Sequence, residues 1–219
     1  AEKGSNRQKI GDFYATGMDS ATVESLGWKP IADDLKRIDA LTDAAGVQAE
    51  LARLHTFGPG GLFGFGSGQD AKNSTEVIGQ LSQGGLGMPD RDYYIAQDDK
   101  SKKLREDYAS YVTAMFTLTG SDEASASAWA QSVMTVETRL ARASRTRIER
   151  RDAEKNYHRM SQKELASLTP SFRWDRFFEG VGWSNPGDVN VGQPEFFSAV
   201  DTMMKEVAVD SWKQYLRWR

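Results

Sequence analysis

Residues 61–75 read GLFGFGSGQDAKNST. Two folds compete for this stretch. Glycines ahead of a lysine and a hydroxyl cluster suggest a phosphate-cradling loop, and with it an α/β nucleotide enzyme. A Walker loop needs Gly, four residues, then Gly-Lys-Ser/Thr. Here Lys72 is preceded by Ala71 and followed by Asn73. A dinucleotide fingerprint needs a strand, then glycines, then a helix start. Instead, Phe63 and Phe65 alternate with Gly64, Gly66 and Gly68, the period of a strand. A second extended run, Thr75 to Gln83, follows the turn-rich Asp70-Ala71-Lys72-Asn73-Ser74. The stretch therefore predicts an antiparallel hairpin with a bare glycine face, where another backbone could approach closely. Asn73-Ser74-Thr75 fits a glycosylation sequon, but a turn closing the hairpin accounts for it more simply.

Outward from the hairpin the period becomes helical. Ile10, Phe13, Tyr14, Gly17 and Met18 give a first helix, with a break marked by Ser20 and Thr22. Pro30 opens a second through Ile31, Leu35, Ile38 and Leu41. A third runs from about Val47 to His55 and ends at Gly58-Pro59-Gly60-Gly61. After the turn-like residues 84–90, Lys102 to Leu118 is helical and Gly120 stops it. Ser121 or Asp122 caps a long helix that turns Trp129, Val133, Val136 and Leu140 inward. Ser161-Gln162-Lys163-Glu164 is a capping box, Val189-Asn190-Val191 a short strand, and Pro194 starts a helix through Met203. The fold class is mainly α: a multi-helix lobe with a small antiparallel β-hairpin, residues 1–219 forming a single lobe.

Composition narrows the function. A net charge of -3 gives no basic excess for nucleic acid or an anionic membrane. No cysteine is present, so disulfides, thiolate metal sites and a cysteine nucleophile are all removed. His55 and His158 are the only histidines, and neither lies in an HExxH pattern. No triad, nucleotide loop or paired-carboxylate spacing is marked, so no catalytic residue and no metal ligand is assigned. The arginines from Arg139 to Arg151 are interleaved with Glu137, Glu149 and Asp152, which reads as a salt-bridged surface. The remaining candidates are Arg91, Asp92, Tyr93 and Tyr94. A charge pair beside two tyrosines in a non-helical segment serves either as a cavity-facing recognition patch or as a loop anchor, and the anchor is the favoured role.

Five strings, taken in order, carry a resemblance. They are KIGDFYATGMD at 9–19, GQDAKNS at 68–74, GLGMPDRDYY at 85–94, YHRMS at 157–161 and YLRWR at 215–219. Together the chain resembles the N-terminal region of the neprilysin family of zinc metallopeptidases. The resemblance implies the non-catalytic lobe of a longer, two-lobed peptidase, capping a cavity and limiting it to small peptides. Zinc, HExxH and the third-ligand glutamate would belong to the missing catalytic lobe, so no cofactor is expected within these residues. The implied partners are that catalytic lobe and a peptide substrate, with no nucleic acid and no membrane contact from this segment. Absence of cysteine, where animal members are disulfide-rich, points to a bacterial member, exported to the periplasm or beyond. The uncapped apolar pattern at residues 211–219 fits a chain that continues. The alternative is a stand-alone helical module binding peptides or proteins.

Overall fold

The computed structural model describes residues 1–58 and 60–219. They divide into two compact units, residues 1–37 and 38–219.

In the first unit, α1 (Asn6–Met18) starts at Ser5, whose hydroxyl accepts from the Gln8 amide at 3.2 Å. The break expected at Ser20 and Thr22 is only one residue wide. Asp19 ends α1 and caps α2 (Ser20–Leu26), its carboxylate accepting from the Thr22 amide at 3.1 Å and hydroxyl at 2.7 Å. Hydroxyl residues that mimic a loop signal are here the first turn of a capped helix. Pro30 sits in a 3-10 turn, Lys29–Ile31, that leads into α3 (Ala32–Asp39). That helix closes before Leu41, the expected end.

In the second unit, α4 (Ala44–Phe57) is capped by Asp43 and closed by Gly58 at φ 100°. The turn expected over residues 58–61 includes Pro59, which lies outside the described residues. The hairpin forms as β1 (Phe63–Gln69) and β2 (Val77–Gln83), with Phe63 opposite Gln83 and Gln69 opposite Val77. It is not isolated. With β3 (Arg159–Met160) and β4 (Val189–Val191) it makes a sheet of order β1-β2-β4-β3 among the described residues. β4 runs parallel to β2 and antiparallel to β3. The β1 glycines differ in surroundings: a Cβ at Gly64 would lie 2.5 Å from the Ser82 hydroxyl and at Gly68 3.1 Å from the Gln80 side chain, so side chains of β2 take that space, whereas Gly66 faces open space.

The remaining helices are α5 (Asp92–Ile95), α6 (Asp99–Leu118), α7 (Glu123–Ala143), α8 (Gln162–Leu168), α9 (Trp174–Gly180), α10 (Pro194–Glu206) and α11 (Val209–Trp218). Asp122, not Ser121, caps α7. The capping box at Ser161 and Glu164 forms as expected. Aromatic rings fill the core. Phe63 lies 5.2–5.7 Å, centroid to centroid, from Phe172, Trp174, Phe177 and Phe197. Such rings each bury 150–250 Å² and gain from tilted packing, so a sheet this small holds the helices around it. α6 and α7 pair through Val112 and Phe116 against Ala126, Ala130 and Val133. No helix of the described residues is long and apolar enough to cross a membrane.

Candidate functional site

Four segments of the second unit converge on one buried carboxylate. Glu137 lies on the inward face of α7, between Val136 and Leu140, and is fully buried. Its Oε2 accepts from the Tyr94 hydroxyl at 2.8 Å; its Oε1 accepts from Tyr108 at 3.2 Å and from the Gly87 amide at 3.1 Å. Tyr94 comes from α5, Tyr108 from α6, and Gly87 from the loop between β2 and α5. Trp218, at the end of α11, donates its indole N–H to Tyr108 at 2.8 Å, and Arg219 donates to the Leu86 carbonyl at 3.1 Å.

The electrostatics follow from this burial. Desolvation is the largest influence on Glu137 and pushes its carboxyl up to about 7, against the pull of the Tyr94 and Tyr108 hydroxyls, Arg219 and the Gly87 amide. Tyr94 and Tyr108 are raised as well, first by burial and then by the Glu137 charge, so both stay protonated donors. The cluster holds a proton near neutrality, and Glu137, Tyr94 and Tyr108 each have hydrogen-bond partners, a polar knot in an apolar interior.

Glycine is required at the knot. Gly85 has φ +77°, and a Cβ there would lie 2.6 Å from the Tyr215 hydroxyl and 2.7 Å from the Leu62 carbonyl oxygen. A Cβ at Gly87 would overlap the Tyr108 hydroxyl. The Tyr215 hydroxyl of α11 bridges the carbonyls of Gly61 and Gly85, at 2.7 and 2.8 Å. The loop is thereby bound to the last helix of the chain.

The four residues singled out in the sequence sit around this knot in different ways. Tyr94 is buried in it and also accepts from the Met88 amide at 2.8 Å. Arg91 donates to the Ala141 carbonyl of α7 at 3.1 Å. Tyr93 offers its carbonyl to Arg105 at 2.9 Å and packs beside Met88 and Tyr94. Asp92 is turned outward, with Arg91 3.7 Å away. The adjoining Asp90 holds Arg147 at 2.7 Å. Above the loop lies a polar depression of about 250 Å³, walled by residues 83–91 with Ser144, Arg145 and Arg150.

Glu137 corrects the sequence reading, which placed it on a salt-bridged surface. Its spacing from Val133, Val136 and Leu140, all on the inward stripe, was the signal. Trp218 and Arg219 gave none, because their partners lie more than a hundred residues away. Among the arginines, Arg139 pairs with Glu206, Arg145 with Glu195 and Arg147 with Asp90, as a charged surface should.

A second polar cluster ties the sheet together. Arg159 of β3 reaches Asp70 at 2.7 Å, Glu76 at 2.8 Å and Asp188 at 2.9 Å. Asp70 also accepts from the Lys72 amide at 2.8 Å and the Tyr157 hydroxyl at 3.0 Å. Asn73 Oδ1 accepts from the Thr75 hydroxyl at 2.8 Å, so the sequon-like triplet forms a turn in this structure. Lys72 pairs with Glu154 at 3.0 Å and lies over the Tyr157 ring.

The residues present do not fit a zinc site. Both ring nitrogens of His55 lie against carbonyl oxygens, Leu51 at 2.7 Å and Phe63 at 2.9 Å, leaving neither free to bind a metal. His158 Nδ1 lies 3.0 Å from the Val191 carbonyl. No group of three or more potential ligand side chains among the described residues is arranged around a common point.

The family model for the N-terminal region of peptidase family M13 matches residues 1–219. Neprilysin-3 of Drosophila melanogaster is 31% identical over 82% of this chain and 24% of its own length. Endothelin-converting enzyme 1 of Rattus norvegicus is 27% identical over 94% of this chain and 28% of its own. The inhibitor complex of the Mycobacterium tuberculosis zinc metalloprotease Zmp1 superposes with a TM-score of 0.92 at 30% identity, over 100% of this chain and 33% of that one. The chain thus spans about a quarter of the curated relatives and a third of the solved protease.

Proposed function

Because this chain belongs to peptidase family M13, through that family's N-terminal region, we propose that it is the cavity-capping lobe of a zinc metalloendopeptidase. In this reading the lobe confines short peptides and excludes folded proteins. Zinc and its ligands are supplied by the remainder of the polypeptide. There the metal activates a water for attack on a peptide carbonyl. These 219 residues contribute shape and attachment, with residues 1–219 serving as one lobe. We further place the enzyme outside the cytoplasm, in a bacterium, in keeping with its lack of cysteine.

The observation that carries the proposal is the end-to-end superposition on one third of a zinc metalloprotease. The Glu137 knot gives the lobe a physical role. It anchors the loop at residues 85–94 to α11, the last helix of the chain, so an attached catalytic part would meet a rigid base. Arg91, Tyr93 and Tyr94 act in this reading as anchors of that base, and Asp92 faces outward from it.

The test compares the 219-residue chain with the full-length gene product on quenched fluorescent peptides and on a folded protein substrate. The full-length protein should cleave the peptides, lose activity to a chelator and regain it with zinc, and spare the folded protein. The 219-residue chain should cleave neither. Zinc-dependent hydrolysis by the short chain would sink the proposal, as would equal cleavage of the folded substrate by the full-length enzyme.

A further inference from the structure

The first unit carries an exposed apolar face. Ile10, Phe13, Tyr14 and Met18 are 64–83% exposed, and with Gly17 they follow i, i+3, i+4, i+7, i+8 spacing along one side of α1. Neither α1 nor α2 has a single buried residue. Helices of 13 and 7 residues are marginal alone and draw their stability from a packed apolar face. Val23, Leu26, Trp28 and Ile31 of the same unit are exposed as well. Contiguous exposed apolar surface of this kind marks an interaction site. Gly17 lies within the stripe, and a Cβ built there would meet nothing within 4 Å. A glycine inside a helix costs stability unless close approach uses the space it leaves.

We infer that the α1 stripe is a docking face for the part of the same polypeptide that lies beyond Arg219. Two things select this occupant. The chain spans only 33% of the solved protease that it superposes on, so about twice its own length is outside the structure and available to cover the stripe. The polar side of α1 carries Lys9 and Asp12, one charge of each sign, and Arg7 falls within the stripe one turn before Ile10, whereas a membrane-surface helix has a strongly basic polar face. The catalytic part would then grip this polypeptide twice, at α1 near one end and beyond α11 at the other. The inference rests on the proposed two-part enzyme, and its test is separable from the test of that reading.

In the full-length protein, Phe13 is replaced by the photo-crosslinking residue p-benzoylphenylalanine, and the linked peptide is identified by mass spectrometry. Cross-links to residues beyond 219 within one monomer are the expected result. Cross-links to residues 38–219, to a second copy, to added vesicles, or to nothing would each overturn the inference. A second readout is amide exchange across residues 6–18. It should be slowed about 100-fold or more in the full-length protein. Gly17→Leu, which favours the helix itself, should abolish that slowing by blocking close approach; unchanged slowing in the variant would remove the role given to Gly17. Zinc-dependent peptidase activity of the unmodified full-length protein reports separately on the enzyme reading, and stands or falls whatever the cross-links show.

Discussion

The Tyr94 hydroxyl donates to Glu137 Oε2 at 2.8 Å, across 43 residues of sequence, and accepts from the Met88 amide at the same distance. One phenol thus joins the loop, α5 and α7 inside an apolar interior. Removing an oxygen here strands more than one partner. Tyr94→Phe should cost about 1–3 kcal/mol, the penalty for leaving buried polar groups unpaired. Glu137→Ala strands two tyrosines and an amide and opens a cavity, so about 3–5 kcal/mol is expected. Urea unfolding of the two variants checks the order. Equal, negligible losses would mean that the knot does not form.

Glu137 also sets a pH dependence. Its carboxyl titrates near 7 when folded, against a reference of 4.5. The folded state therefore holds the proton more tightly between these values, and stability falls as pH rises through that window. Its contribution is fully present below about 4.5 and lost above about 7. The span corresponds to about 3 kcal/mol at about 1.4 kcal/mol per pH unit. Glu137→Gln stays neutral throughout. The stability difference between wild type and Glu137→Gln should therefore shift by about 3 kcal/mol against the wild type between pH 4.5 and 7.5. Unfolding curves at four or five pH values measure it, and a flat difference would show that Glu137 titrates in solvent.

Gly87→Ala should destabilise although alanine is small. The added methyl overlaps the Tyr108 hydroxyl, which is held by both Glu137 and Trp218. Overpacking of this kind costs about 1–3 kcal/mol. Tyr108→Phe should restore part of that loss in the double variant, because the overlapping oxygen is gone. Strict additivity of the two losses would argue against the contact.

The elements legible in the sequence were those fixed by near neighbours. Asp122 and Ser161 each cap a helix by accepting from the amide three residues on, and alternation alone located β1. Asp43 and Asp98 cap in the same way, but the sequence reading missed them and placed the starts of α4 and α6 about three residues late. β4 was visible as a strand, but its parallel pairing with β2 was not: Gly79 meets Val189 across 110 residues, and pattern does not encode partner. The same limit hid the knot. Tyr94 stood out in its string, while Glu137 was grouped with the arginines that follow it, although it shares the inward stripe of Val133, Val136 and Leu140; its partners on α5, α6 and the loop were set only by packing. Ser20 and Thr22 misled because hydroxyl residues serve both loops and first helical turns.

The Arg159 cluster yields the last prediction. One guanidinium spans three carboxylates from three segments: Asp70 after β1, Glu76 before β2 and Asp188 before β4. Asp70 is the key member, for its side chain is fully enclosed. The Lys72 amide, ahead of Tyr157, Arg159 and the Asn73 amide, holds its carboxyl below the usual carboxylate range despite opposing desolvation. A depressed acid stabilises the fold above its unfolded value near 3.8, and that contribution is lost as pH falls. Arg159→Met removes the shared cation and leaves three carboxylates facing each other. It should therefore lower Tm clearly at pH 7, and the deficit should begin to shrink as pH falls below about 3.8, where the stabilisation carried by Asp70 starts to be lost. Asp70→Asn should show the same trend, because the amide oxygen still accepts from the turn while the charge is absent. Thermal melts of wild type and both variants at pH 7 and below about pH 3.8 decide the matter. A deficit independent of pH would assign Arg159 to packing rather than charge.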